Sequence, residues 1–156
     1  MFHHQLGDLA RTAEAFPDLT IVLDHMGGPV APEGRPEARG EVLGQWGPAL
    51  REVARRPNVH LKIGGMGMAH FGFGFDRRRP SGAELASLWR PYFEIAIDAF
   101  GPARCMAESN FPPDRNGYSY RAFWNAMKLL LAGYSADDRH AMFAGTASRV
   151  YRLGLG

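Results

Sequence analysis

Three short runs constrain this chain more than any other feature: "LTIVLDH" at 19–25, "PNVHLKIGG" at 57–65 and "GPARCMAESNFPP" at 101–113. Each has an apolar or β-branched centre, and each is stopped by glycine or proline. Runs of this kind suit strands buried on both faces. Helix-period stripes separate them. Leu6, Leu9, Ala10, Ala13 and Phe16 form the first stripe, and Val42, Trp46, Ala49, Leu50 and Val53 the second, with Gly47-Pro48 as its kink or its start. Leu85, Leu88, Tyr92, Ala96 and Ala99 form the third, opened by a capping box from Ser81 to Glu84 and kinked at Pro91. Tyr120, Phe123, Trp124, Met127, Leu130 and Leu131 give a strongly amphipathic fourth, and Ser135 caps a last helical segment. Strands alternating with helices imply right-handed parallel βαβ units.

Both a doubly wound sheet and a (β/α)8 barrel fit this order. The strands number three, or four if "MFHH" ends one. A closed barrel takes about 250 residues, and this chain has 156. The barrel reading is therefore a partial one: an α/β fold, a partial TIM-like (β/α)8 barrel of roughly the last four βα units, in a single domain over 1–156. Such a half-barrel leaves two sheet edges unpaired, which invites self-association or a missing N-terminal half as partner. A flavodoxin-like binding module would need a phosphate loop, and no Gly-x-Gly-x-x-Gly precedes a helix here.

Charge and composition remove other classes. The net charge of +2 gives no case for nucleic acid, and Arg77-Arg78-Arg79 reads as a solvated loop. No apolar run approaches the roughly 18 residues that span a bilayer. "MFHHQLGDLA" has no basic region followed by an apolar stretch, so no signal peptide is expected. The single cysteine, Cys105, cannot form an internal disulfide. A cytoplasmic protein with a small-molecule substrate is the expectation.

The polar groups at the strand ends point to a site. The first candidate strand ends at His3, His4 and Gln5, the second at Asp24 and His25, and the last at Glu108, Ser109 and Asn110; the third carries His60 and Lys62. Parallel α/β folds bind ligands at the carboxyl ends of their strands. Singly each signal has a structural alternative: Asn110 and Asp114 are also good turn residues. Side chains alternate along a strand, so Met106, Glu108 and Asn110 share one face. Lys62 and His60 share the same inward face of their strand, and Lys62 and Glu108 are expected to pair there.

"FPDLTIVLDHMGGP", "PNVHLKIGGMG" and "FGPARCMAESNFPPD", in this order and spacing, resemble the C-terminal half of the amidohydrolase-related (amidohydrolase 2) family. That family includes lactonases, such as the pyrone dicarboxylate lactonases, and some decarboxylases. The resemblance covers nearly the whole chain and implies a (β/α)8 barrel. It would place His3 at the end of the fifth strand, where metal-using members carry a histidine ligand. His25 would be the sixth-strand histidine that acts as a base or polarises a carbonyl. Asn110 stands at the eighth-strand position that usually holds aspartate, a metal ligand and general base.

Two departures follow. The first-strand His-x-His metal motif is absent, and the aspartate is Asn110, whose amide is a poor base near neutral pH. A zinc or manganese ion is implied for a full-length enzyme, with weak metal binding or none in this chain. The resulting expectation is a hydrolase acting on an ester, lactone or amide of a small organic carboxylate. His25 and Asn110 are its catalytic residues. His3, Gln5, Lys62, Glu108 and Arg115 are its substrate contacts, and His3 is also the candidate metal ligand. The loop 64–80 covers the site, its aromatics either contacting substrate or packing inward. A metal-dependent decarboxylase of the same family and a non-catalytic half-barrel remnant stay open as alternatives.

Overall fold

The computed structural model describes residues 1–31, 35, 37–75 and 77–154. Parts of the loops at 26–40 and 64–80 lie outside the described residues. Three strands, β1 (Ile21–Leu23), β2 (Val59–Gly64) and β3 (Cys105–Glu108), form a parallel sheet in the order β1-β2-β3. Sequential neighbours throughout, with no reversal of strand order, are the topology of a barrel segment rather than of a doubly wound sheet. Leu23 stands opposite Leu61, and Lys62 opposite Met106.

Helices α1 (Leu6–Ala15), α2 (Ala38–Ala54), α3 (Gly82–Phe100) and α4 (Tyr120–Leu130) follow the four stripes. The short α5 (Ala136–His140) and α6 (Thr146–Tyr151) are joined through a π-helical turn at Ala141–Gly145. Pro48 and Pro91 lie inside α2 and α3, so Gly47-Pro48 does not mark a start. Ser81 and Glu84 make the expected reciprocal cap: Glu84 N–H donates to the serine hydroxyl at 3.3 Å and Ser81 N–H to the carboxylate at 2.9 Å. Residues His3–Gln5 form a 3-10 turn rather than a strand end, because Gln5 reaches back to accept from Phe2 N–H at 2.9 Å.

Val59, Leu61 and Ile63 are fully buried, as their outward-facing side of β2 requires. The core then runs through Trp46, Trp89, Phe93, Tyr118 and Phe123. The three phenylalanines of the glycine-rich loop join it. Phe73 and Phe75 stack at 5.1 Å, and Phe75 meets Trp89 edge-on at 6.1 Å. Phe71, Phe73 and Phe75 are all buried, so of the two expectations for these aromatics the packing one holds. Apolar burial outweighs any benefit of holding such rings in water for a ligand.

Candidate active site at the carboxyl ends of the strands

The chain leaves β1 through a turn at His25–Gly27, and His25 and Met26 both have positive φ, 54° and 57°. Side chains rarely accept this conformation, and its cost is tolerated where surrounding structure holds it in place. Here Trp46, fully buried on α2, donates its indole N–H to Met26 O at 2.7 Å. Asn110, just beyond β3, has φ of 50°. Three of the four described non-glycine residues at positive φ therefore lie at strand exits, and two of them are His25 and Asn110.

His25 is held by Glu108. Its ring Nδ1 lies 2.8 Å from Glu108 Oε2, and its backbone N–H donates to the same oxygen at 3.2 Å. A carboxylate accepts only, so Nδ1 carries the proton and the neutral ring keeps its lone pair on Nε2. The hydrogen bond to Glu108 raises the His25 pKa above its ordinary value. Burial opposes this, while the charges of Glu108, Asp24 and Asp114 reinforce it. Gly65 makes room for the pair: a Cβ there would lie 2.4 Å from His25 Nδ1, and its φ is 70°.

Lys62 reaches the other side of Glu108. Its Nζ is 3.6 Å from Glu108 Oε1 and 3.0 Å from Asp24 Oδ1. The expected lysine–glutamate pair is present, but Asp24 is the nearer partner, reached because it follows β1 directly and β1 neighbours β2. Burial works against the lysine charge; the Asp24 hydrogen bond and the two carboxylate charges outweigh it and raise the pKa.

A second group lies beside it. Asp114 is fully buried. It accepts from Asn110 Nδ2 at 2.7 Å, from Gly67 N–H at 2.9 Å and from the Tyr118 hydroxyl through a short hydrogen bond. Desolvation holds the Asp114 pKa above its ordinary value, and these three donors offset it only in part. Burial and the facing carboxylate push the Tyr118 hydroxyl strongly up, so it stays protonated. The Asp114 interactions were not legible as a site, although the spacing of Asn110 and Asp114 across a proline turn was a signal for them.

The remaining candidates are more peripheral. His3 is held to the loop after β1, its N–H donating to Gly28 O at 2.9 Å and its ring Nδ1 3.2 Å from the same oxygen. Gln5 is occupied by its cap. Arg115 is exposed and lines a cavity of about 310 Å³ with Arg79, Phe111, Asn116, Tyr118 and Ser119.

The amidohydrolase family model matches residues 1–153, and the chain belongs to that family. It is 35% identical to an uncharacterised protein of Sinorhizobium fredii, over 98% of this chain and 46% of that protein. It is 31% identical to an L-fucono-1,5-lactonase of Burkholderia multivorans, over 98% of this chain and 50% of that one. A crystal structure of a Burkholderia multivorans amidohydrolase with bound zinc superimposes with a TM-score of 0.82 at 30% identity, covering 97% of this chain and 50% of the other. An amidohydrolase 2 from Bifidobacterium longum, 23% identical with a TM-score of 0.59, shares the fold. The chain thus spans about half the length of the relatives it matches, and its sheet is half of an amidohydrolase TIM barrel.

The relative's zinc makes the metal question concrete. Among the described residues no group of three or more histidine, cysteine, aspartate or glutamate side chains could hold an ion. His25 Nδ1 is taken by Glu108, and Asp24 and Glu108 are both engaged by Lys62. Structural zinc sites use four protein ligands and catalytic ones three. The described residues do not fit a tightly held divalent ion. No helix among them is long and apolar enough to cross a membrane.

Proposed function

We propose that this chain carries the acid–base half of a hydrolytic site for esters, lactones or amides of small organic carboxylates, within a single unit over 1–156. A sugar-acid lactone is the first substrate class to try, because two relatives bear that activity in their names. The observation that supports the reading best is the His25–Glu108 contact at 2.8 Å, which leaves Nε2 as the free base.

In this reading His25 Nε2 takes a proton from water as the water oxygen bonds to the carbonyl carbon. The ring then returns the proton to the leaving oxygen as the carbon–oxygen bond breaks. Glu108 fixes the tautomer and stabilises the imidazolium. Lys62, 3.6 Å from Glu108 Oε1, helps hold that side chain in place, and Asn110 Oδ1 orients the water. His3 and Arg115 border the substrate, with the Arg115 guanidinium suited to a carboxylate. The segment 64–68 passes over the His25–Glu108 pair through Gly65.

Proton release from a panel of aldonolactones and esters, and ammonia release from amides, tests this. The expected result is lactone hydrolysis that falls about 10²–10⁴-fold in His25→Ala. Hydrolysis unchanged in that variant would contradict the reading.

A further inference from the structure

Asn110 can present either an acceptor or a donor to the site, depending on which way its amide faces. The two ends are nearly isosteric, so only its partners decide. On one side that partner is the Asp114 carboxyl, which accepts from every neighbour it meets. Asp114 Oδ1 lies 2.7 Å from Asn110 Nδ2, and Oδ2 is already claimed by Gly67 N–H and the Tyr118 hydroxyl. Asn110 Oδ1 has no hydrogen-bond donor among the described residues and is left for a ligand.

We propose that Asp114 is the positioning residue of this site: by accepting from Nδ2 it makes Asn110 present an oxygen rather than an amide N–H. The inference rests on the reading of Asn110 as a site residue, but its geometry can be tested without any substrate. Three features of the structure support it. Asp114 is fully buried, so no water competes for Oδ1. Its own rotamer is fixed from two further directions, by the backbone of the segment after β2 and by a core tyrosine. That segment lies close against both groups: a Cβ on Gly67 would be 2.6 Å from the Tyr118 ring and 2.7 Å from Asp114 Cγ. The Asp114 N–H also donates to Asn110 O at 3.0 Å, so the two residues are locked by main chain and side chain together.

The consequence is specific. In Asp114→Asn the oxygen of the new amide must stay with Gly67 N–H and Tyr118, its two donors. Its NH₂ group then faces Asn110 Nδ2, donor against donor. Asn110 is forced to turn over and show its NH₂ to the site. Adding Asn110→Asp removes the conflict: the new carboxylate accepts from the amide now at position 114 and again shows an oxygen outward. The pair should therefore be exchangeable as a unit although neither half is replaceable alone.

The experiment combines nitrogen-15 NMR of the Asn110 side-chain amide with melting curves of the single and double variants. In the wild type the Asn110 NH₂ resonances should be protected from solvent exchange. Asp114→Asn should lose that protection and melt lower, while Tyr118→Phe should keep it. Asn110→Asp with Asp114→Asn should recover most of the midpoint lost by either single change. Unchanged protection in Asp114→Asn overturns the proposal. So does a double variant that melts no higher than the worse single one, including the case where neither folds. Lactone hydrolysis read alongside separates the two ideas: an amide that turns over without changing the rate leaves the positioning intact and removes Asn110 from the chemistry.

Discussion

The two ends of the sheet solve opposite problems. At the amino ends, backbone carbonyls of neighbouring segments are tied together, and two side chains supply the donors. Arg104, just before β3, donates to Ala54 O at 2.8 Å, Phe100 O and Arg56 O at 3.0 Å and Val59 O at 3.4 Å. Asn58, just before β2, donates to Ala13 O, Phe16 O and Leu19 O at 3.0–3.1 Å. None of these residues has positive φ. At the carboxyl ends the backbone is strained at His25, Met26 and Asn110, and carboxylates crowd around one histidine and one lysine. One end is hydrogen-bonded for stability; the other gives up stability to place polar groups. The contrast teaches where each kind of mutation should register: melting at the amino end, ionisation and geometry at the carboxyl end.

The largest expected effect lies at the amino end. Arg104→Met removes a donor from four carbonyls, of which Arg56 O keeps the Val59 N–H, and should cost about 3 kcal/mol, read by urea denaturation, while leaving the His25 titration unmoved. A shift of His25 in that variant would break the separation of the two ends. Gly65→Ala comes next, combining a positive φ with a Cβ driven into the His25–Glu108 pair. It should cost about 2 kcal/mol and displace the His25 ring resonances. Trp46→Phe keeps an aromatic ring in the core but leaves a small void and orphans Met26 O, for about 2 kcal/mol, with the backbone signals of His25 and Met26 moving most. The smallest effect is Lys62→Met, about 1 kcal/mol. A deeply buried lysine–glutamate pair would lose more. Here the Lys62 side chain is 26% exposed and Asp24, its nearer partner, 54%, so solvent screens the loss.

The fold was legible where periodicity and stop residues carry it. The strands at Ile21–Leu23, Val59–Gly64 and Cys105–Glu108 fall inside the three runs, and the helices follow their stripes. The strand ends proved shorter than the runs, because Asp24, His25, Ser109 and Asn110 turn away to form the site instead of continuing the ladder. Lys62 and Glu108 were legible because strand alternation assigns them to the inward face, and His25 because it ends a strand run at the position where the family resemblance implies a histidine. Asp114 was not. A buried carboxylate in "PPDRNG" looks like any turn aspartate until Gly67, from a distant part of the chain, and Tyr118, four residues on, converge on it. The inward packing of Phe71, Phe73 and Phe75 was equally undecided in sequence, since a loop rich in glycine and phenylalanine has no period to say which way its rings point.

The His25–Glu108 contact is tested most directly by NMR titration of the His25 ring in the wild type and in Glu108→Gln. The hydrogen bond and charge of Glu108 should hold the wild-type His25 above its ordinary 6.5. Because the folded value is raised, the stability this contact contributes is fully present below about pH 6.5 and is lost as the pH climbs through the folded value. Glu108→Gln keeps a hydrogen-bond acceptor but removes the charge, so the midpoint should fall, and with it the pH dependence of stability. A wild-type His25 titrating at or below 6.5, or a midpoint unmoved by Glu108→Gln, would contradict the assignment of this pair as the centre of the site.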